Sequence, residues 1–194
     1  MWPWGHLAVA YLFYSLYCHG RYRRPPRPEP VVAVVIGSQL ADVIDKPLAW
    51  WLGVFPTGRD LGHSLLFAVV LIAVVYAAAI AFDRLETATA FTIAHLSHLL
   101  ADLSPRLLLG YPFGSEFLLW PVVSHNTFGY NEQLFEPPAA VELVVTPFTD
   151  PAVFLALELT LVVLAIGIWV ADGRPGVRYL RQLIGQSRKQ RSAN

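Results

Sequence analysis

Charge is what this sequence has least of. Only 14% of its 194 residues are Asp, Glu, Lys or Arg, where an average soluble domain carries about 25%. So little charge cannot cover a water-facing surface, and a soluble globular domain is excluded as the expectation. A surplus of either sign is also missing, because 14 Lys and Arg balance 14 Asp and Glu. The chain therefore has no general attraction for nucleic acid. With one cysteine, Cys18, it forms no intramolecular disulfide. A cleavable leader is not expected either: the first apolar segment, Trp4 to His19, is followed rather than preceded by basic residues and lacks small residues at a cut site. This segment is expected to stay as an anchor.

What the sequence has in abundance is apolar residues, 55% of the total. Runs such as Leu65 to Phe82 and Ala152 to Val170 approach the roughly 20 residues that a membrane-spanning helix needs. The expected fold is all-α, a polytopic membrane helix bundle of about five membrane-embedded helices. Pro25, Pro26, Pro28 and Pro30 form a linker or turn, since proline lacks the amide donor and clashes with the preceding helical turn. A second apolar run, Val31 to Leu40, meets Asp42, Asp45 and Pro47, which predicts a helix ending in or just after a carboxylate-bearing turn. The third segment begins near His63 and the fourth runs from Thr87 to about Leu109. Residues 110–150 read as an extended loop and Ala152 to Ala171 as the fifth span.

Lys and Arg accumulate in cytoplasmic connections. Arg21, Arg23, Arg24 and Arg27 follow the first segment, and the tail from Gly173 carries Arg174, Arg178, Arg181, Arg188, Lys189 and Arg191 with no acid. Both belong on the cytoplasmic side, whereas residues 110–150 hold no Lys or Arg and belong outside. The expectation is a multi-pass cell-membrane protein with its amino terminus outside and its carboxyl terminus cytoplasmic. Its membrane-embedded domain is 1–172, and 173–194 is a basic tail.

Ionisable side chains at membrane depth cost several kcal/mol unless paired, hydrated or bound. Here they form a pattern. His98 and Asp102 are four apart and share one helical face, with His95 on the same side. Asp42 and Asp45 are three apart, His63 opens the third segment, and His6 lies near the start of the first. In the deduced topology all fall toward the outer ends of their segments. His6, Asp42, Asp45, His63, His98 and Asp102 are thus the candidate metal ligands. Imidazole and carboxylate donors suit zinc foremost, with manganese, iron or magnesium as other divalent ions, and six of them suffice for one or two ions. Any single His or Asp in a membrane helix is as readily a structural hydrogen-bond partner. His95 reads as a supporting or pore-facing group, and His19 and His125 as solvated surface residues. Arg59, four residues before His63, forks either onto an anionic substrate group or onto Asp60 or Asp45. Ser64 either orients His63 or caps the third segment. Glu158 is either a partner of the site or a helix-packing group. Trp2, Trp4, Trp50, Trp51 and Trp120 read as interfacial anchors.

Gly5-His6-Leu7, the run Asp42-Val43-Ile44-Asp45-Lys46-Pro47, Arg59 with His63-Ser64-Leu65, and Leu96-Ser97-His98-Leu99-Leu100-Ala101-Asp102 followed by Leu119-Trp120-Pro121 occur in that order. Together they resemble the membrane-bound metal-dependent hydrolases related to YdjM, a family described as LexA-regulated. The resemblance covers about residues 1 to 125. It departs at Leu40-Ala41, where the family has Leu-Pro, and at Gly62, where it has Thr; both bear on turn geometry rather than on ligands. The family is distantly similar to zinc-dependent phospholipase C, which implies Asp42 or Asp45, His63, His98 and Asp102 at a metal centre.

The reading that follows is a hydrolase acting on phosphoester bonds of membrane lipids or lipid-linked, anionic substrates. Asp45 is its expected general base, and Arg59 stabilises developing negative charge. A cation- or proton-handling transporter or channel, or a non-catalytic membrane scaffold, are the alternatives from other classes.

Overall fold

The computed structural model describes residues 1–103, 115–123 and 150–177, together with 179 and 181. The described residues are helical, without strands: α1 (Pro3–Tyr22), α2 (Pro28–Trp50), α3 (Leu65–Ala81), α4 (Leu85–Ala101), a short 3-10 helix (Glu116–Leu119) and α5 (Pro151–Ala171). Sequence predicts the fourth segment to about Leu109, but α4 ends at Ala101. Residues 104–114 and 124–149, with His125, and most of the basic tail lie outside the described residues.

The proline-rich stretch both ends one helix and starts the next. Arg23 closes α1 in the left-handed region, with φ of 53°, and α2 begins at Pro28. Prolines in a first turn forfeit only amide donors that would have no helical partner. α2 then continues through Asp42, Asp45 and Pro47 to Trp50. The carboxylates are therefore on the helix itself, not in a turn beyond it. The short turn between α3 and α4 is made possible by Asp83, at φ 54°.

The packing is inverted relative to a water-soluble fold. α5 buries only Glu158 and Ala165, while Leu159, Val163, Leu164 and Ile166 are exposed. α3 likewise turns Val69, Val70, Val74 and Ile80 outward. The buried centre is made of small residues and polar groups: Ala10, Ala33, Ala90 and Ala94 pack with Tyr11, Tyr14, Val34 and Phe91. Gly37 brings α2 so close to α4 that a Cβ there would stand 2.7 Å from the Phe91 carbonyl oxygen. Small residues permitting close backbone approach characterise helix packing in lipid. By length and apolarity one described helix, Pro151–Ala171, is long enough to cross a membrane; Leu65–Ala81 is apolar but shorter. Among the described residues one helix is thus a clear span by these measures, while α1, α2 and α4 carry the polar residues that build the interior.

α2 packs extensively on α4, α1 lies against α2, α4 and α5, and α3 lies against α4 and the 3-10 helix. The helices alternate in direction, so polar residues collect at two opposite ends. At one end Asp172 accepts hydrogen bonds from Tyr11 Oη at 2.7 Å and Ser15 Oγ at 2.7 Å and meets His19 Nε2 at 2.8 Å, while Glu86 pairs with Arg24. At the other end lie the candidate ligands.

Candidate metal centre

The loop between α2 and α3 is built around one carboxylate. Asp45, fully buried on α2, accepts the backbone N–H of Gly62 on Oδ1 at 2.7 Å. Its Oδ2 accepts those of Asp60 at 2.8 Å and His63 at 3.1 Å. The same oxygen also receives His63 Nδ1 at 2.7 Å. The wrap closes tightly on Gly62, where a Cβ would sit 2.8 Å from the Ala41 carbonyl oxygen. Ala41 and Gly62 are thus in contact with each other. Ser64 caps α3, accepting from Phe67 N, and donates to the Trp120 carbonyl at 2.6 Å, which fixes the residues after the 3-10 helix over the loop.

Two buried histidines, His63 and His98, each have one ring nitrogen committed. His63 Nδ1 faces a carboxylate, and His98 Nδ1 lies 2.7 Å from the Ser38 carbonyl oxygen. Those partners only accept, so each Nδ1 carries the proton and each Nε2 presents a lone pair. The two Nε2 atoms stand 3.1 Å apart in the interior. Facing lone pairs repel unless a proton or a cation stands with them.

Carboxylates surround this pair. Asp42 Oδ1 lies 3.6 Å from His63 Nε2 and 3.9 Å from His98 Nε2. Asp102, closing α4, reaches His63 Nε2 with Oδ2 and His6 Nε2 with Oδ1, both at 3.3 Å. His6 stacks on His98 with ring centroids 3.8 Å apart, and neither of its ring nitrogens makes a hydrogen bond of normal geometry. Three cations border the cluster: Lys46 Nζ on Asp42 Oδ2 at 2.6 Å, Arg59 Nε on Asp102 Oδ2 at 3.2 Å, and the terminal amine of Met1 on Asp102 Oδ1 at 3.1 Å.

His6, His98 and Asp102 form one triad that could hold a metal ion, and Asp42, His63 and His98 form another. Five of the six candidate ligands from α1, α2, α4 and the α2–α3 loop therefore meet. Asp45 stands one step behind them, its oxygens directed at the loop and at His63. His95 is buried against Phe91, with centroids 5.9 Å apart, outside both triads. Glu158 accepts the Trp2 amide at 2.8 Å and anchors the start of α1. His19, expected to be solvated, is half-exposed and tied to Asp172. Sequence reading missed Lys46, although its spacing of four from Asp42 on one helical face is a pairing signal.

Fold and site together define an all-helical membrane protein with a buried histidine–aspartate cluster at one end of its bundle. The chain matches the YdjM inner membrane protein family over residues 1–174 and belongs to that family. No curated protein and no solved structure matches it.

Proposed function

We propose that this protein is a membrane-bound, metal-dependent hydrolase acting on phosphoester bonds of lipid or lipid-linked substrates. The observation that carries the reading is the convergence of two imidazole Nε2 lone pairs, 3.1 Å apart, whose Nδ1 positions are each fixed by an acceptor. A histidine whose second nitrogen donates to a carboxylate or carbonyl is oriented and made more basic for metal ligation. Histidine and aspartate donors suit zinc, with other divalent ions as substitutes. A bound divalent ion would lower the pKa of water from about 15.7 toward 7 and polarise a phosphoryl oxygen.

The chain's own groups supply the rest. Arg59 is half-exposed and uses Nε on Asp102, which leaves the terminal fork of its guanidinium for a phosphate. Lys46 adds a second cation at the same rim. Asp45 orients His63 through Nδ1 and holds the loop, so its part is to support the ligands rather than to act as the general base. An apolar cavity of about 280 Å³ between α1, α2 and α5 begins at Trp4, two residues from His6, and continues past Leu7, Tyr11 and Val34 to Trp169. A lipid chain lying there would bring its head group toward the cluster. In this reading the helices alternate across the inner membrane with the cluster at the outer face, in accord with the distribution of Lys and Arg.

The test uses the purified full-length protein in detergent with phospholipid and isoprenyl phosphate substrates. Metal-dependent release of a phosphorylated product, abolished by His98→Ala, is expected. A metal content in His63→Ala undiminished from wild type, or metal-dependent ion flux in proteoliposomes without hydrolysis, refutes the proposal.

A further inference from the structure

The donors form two overlapping triads, and the two oxygens of Asp102 reach toward different imidazoles. We infer that the centre holds two divalent ions bridged by Asp102; this rests on the metal-binding reading above and extends it to stoichiometry and ligand assignment. One ion would take Asp42 Oδ1, His63 Nε2 and Asp102 Oδ2. The other would take His6 Nε2, His98 Nε2 and Asp102 Oδ1.

Three observations carry the assignment. First, the five donors form two overlapping triads, each within 4.8 Å, that share His98. His98 has only Nε2 to give, because Nδ1 is bound to Ser38, so it completes one triad only. Asp102 Oδ2, 3.3 Å from His63, completes the other. Second, the Asp102 oxygens point at different imidazoles, Oδ1 at His6 and Oδ2 at His63, each at 3.3 Å. Chelation of a single ion would turn both oxygens toward the same donors. Bonds of about 2.0–2.2 Å in a tetrahedral shell place neighbouring donors roughly 3.3–3.6 Å apart. The Asp102–His6 and Asp102–His63 spacings, both 3.3 Å, and the His63–Asp42 spacing of 3.6 Å fit that edge. Third, His6 is 1% exposed and both its ring nitrogens lack a hydrogen bond. A buried imidazole that meets a carboxylate only at ion-pair range gains a direct bond to Nε2 from an ion held between the two. The terminal amine and Arg59 can remain on Asp102, since a carboxylate offers about four lone-pair sites. Three protein donors per ion leave positions on both ions for the two non-bridging oxygens of one phosphate group, the two-ion arrangement suited to phosphoryl chemistry.

The experiment is elemental analysis of the full-length protein loaded with zinc and freed of excess ion, beside electron paramagnetic resonance of the manganese-loaded form. Wild type is expected to hold two ions per chain and to show an exchange-coupled manganese pair. His6→Ala and His63→Ala are each expected to hold one ion and to show the isolated-ion signal. His6→Gln repeats the first substitution with the ring volume largely kept, and size-exclusion and thermal unfolding confirm that each variant is folded. One ion in wild type, or a folded His6→Gln that keeps two, overturns the two-ion assignment while leaving a metal enzyme in place. No ion in wild type removes the metal reading itself.

Discussion

Asp45→Asn separates a group that positions a ligand from a group that is one. The native carboxylate accepts four hydrogen bonds, one on Oδ1 from Gly62 N and three on Oδ2 from Asp60 N, His63 N and His63 Nδ1. An asparagine must place its NH2 at one of those oxygen positions. Facing Gly62, it opposes one donor; in the other orientation it opposes three, so the first is adopted. Two donors then confront each other in a buried site, at about 1–3 kcal/mol for each group left unsatisfied, and the other three bonds fall from charged to neutral strength, about 1 kcal/mol weaker each. The sum is about 5 to 9 kcal/mol, concentrated in the loop before α3. The new carbonyl still accepts from His63 Nδ1, so Nε2 stays directed at the cluster but becomes less basic. Loss of such a supporting partner lowers metal affinity about 10–100-fold. Zinc titration against a chromophoric chelator, together with thermal unfolding in detergent, measures both effects. The expected pattern is a lower unfolding temperature, metal still bound, and affinity reduced within that range. Affinity and stability equal to wild type would refute the argument. So would a loss as complete as that of Asp42→Ala, because Asp45 would then be a ligand.

The placement of His98 and Asp102 is legible in the sequence because helical periodicity is local: a spacing of four fixes a common face before any fold is known. Meeting of the α1, α2, α4 and loop residues is also legible, but only by reading successive segments as running in opposite directions. Asp45 is not separable from Asp42 by that reasoning. Both sit on one face near the same helix end, and only the loop that returns from Trp51 to Ser64 decides which carboxylate is consumed by backbone amides. Long-range closure of this kind has no periodic signal. The extent of α2 escapes the sequence for a different reason. Pro47 looks like a stop, yet the helix carries on three residues beyond it to Trp50, and the helical bond that it forfeits is the one to the carbonyl of the exposed residue Val43. The count of spans rests on apolar length, and α1, α2 and α4 dilute that measure with the residues that make the interior polar.

Two further substitutions test the scaffold. Gly37→Ala sets a methyl 2.7 Å from the Phe91 carbonyl oxygen and 3.1 Å from Ala94 Cβ; overpacking of that kind costs about 1–3 kcal/mol. It also displaces Ser38, whose carbonyl holds His98, so unfolding temperature and zinc affinity are expected to fall together, and a fall in neither would show that α2 and α4 are loosely apposed. Asp172→Asn acts at the opposite end, where Tyr11, Ser15 and His19 converge on one carboxylate and tie α5 to α1. Burial works to raise the Asp172 pKa, but hydrogen bonds from Tyr11, His19 and Ser15 outweigh it and leave the pKa lowered. A depressed folded value means that this carboxylate stabilises the fold fully above the unfolded pKa of about 3.9, and that the contribution disappears as pH falls through the lower folded value. Denaturant unfolding in detergent should therefore find Asp172→Asn less stable than wild type at pH 7 by about 1–3 kcal/mol. The gap should narrow progressively below about pH 3.9, since the protonated carboxyl of wild type and the amide of the variant then present equally neutral groups to the same three donors. A gap of constant size across that range would mean that shape rather than charge holds α5 against α1.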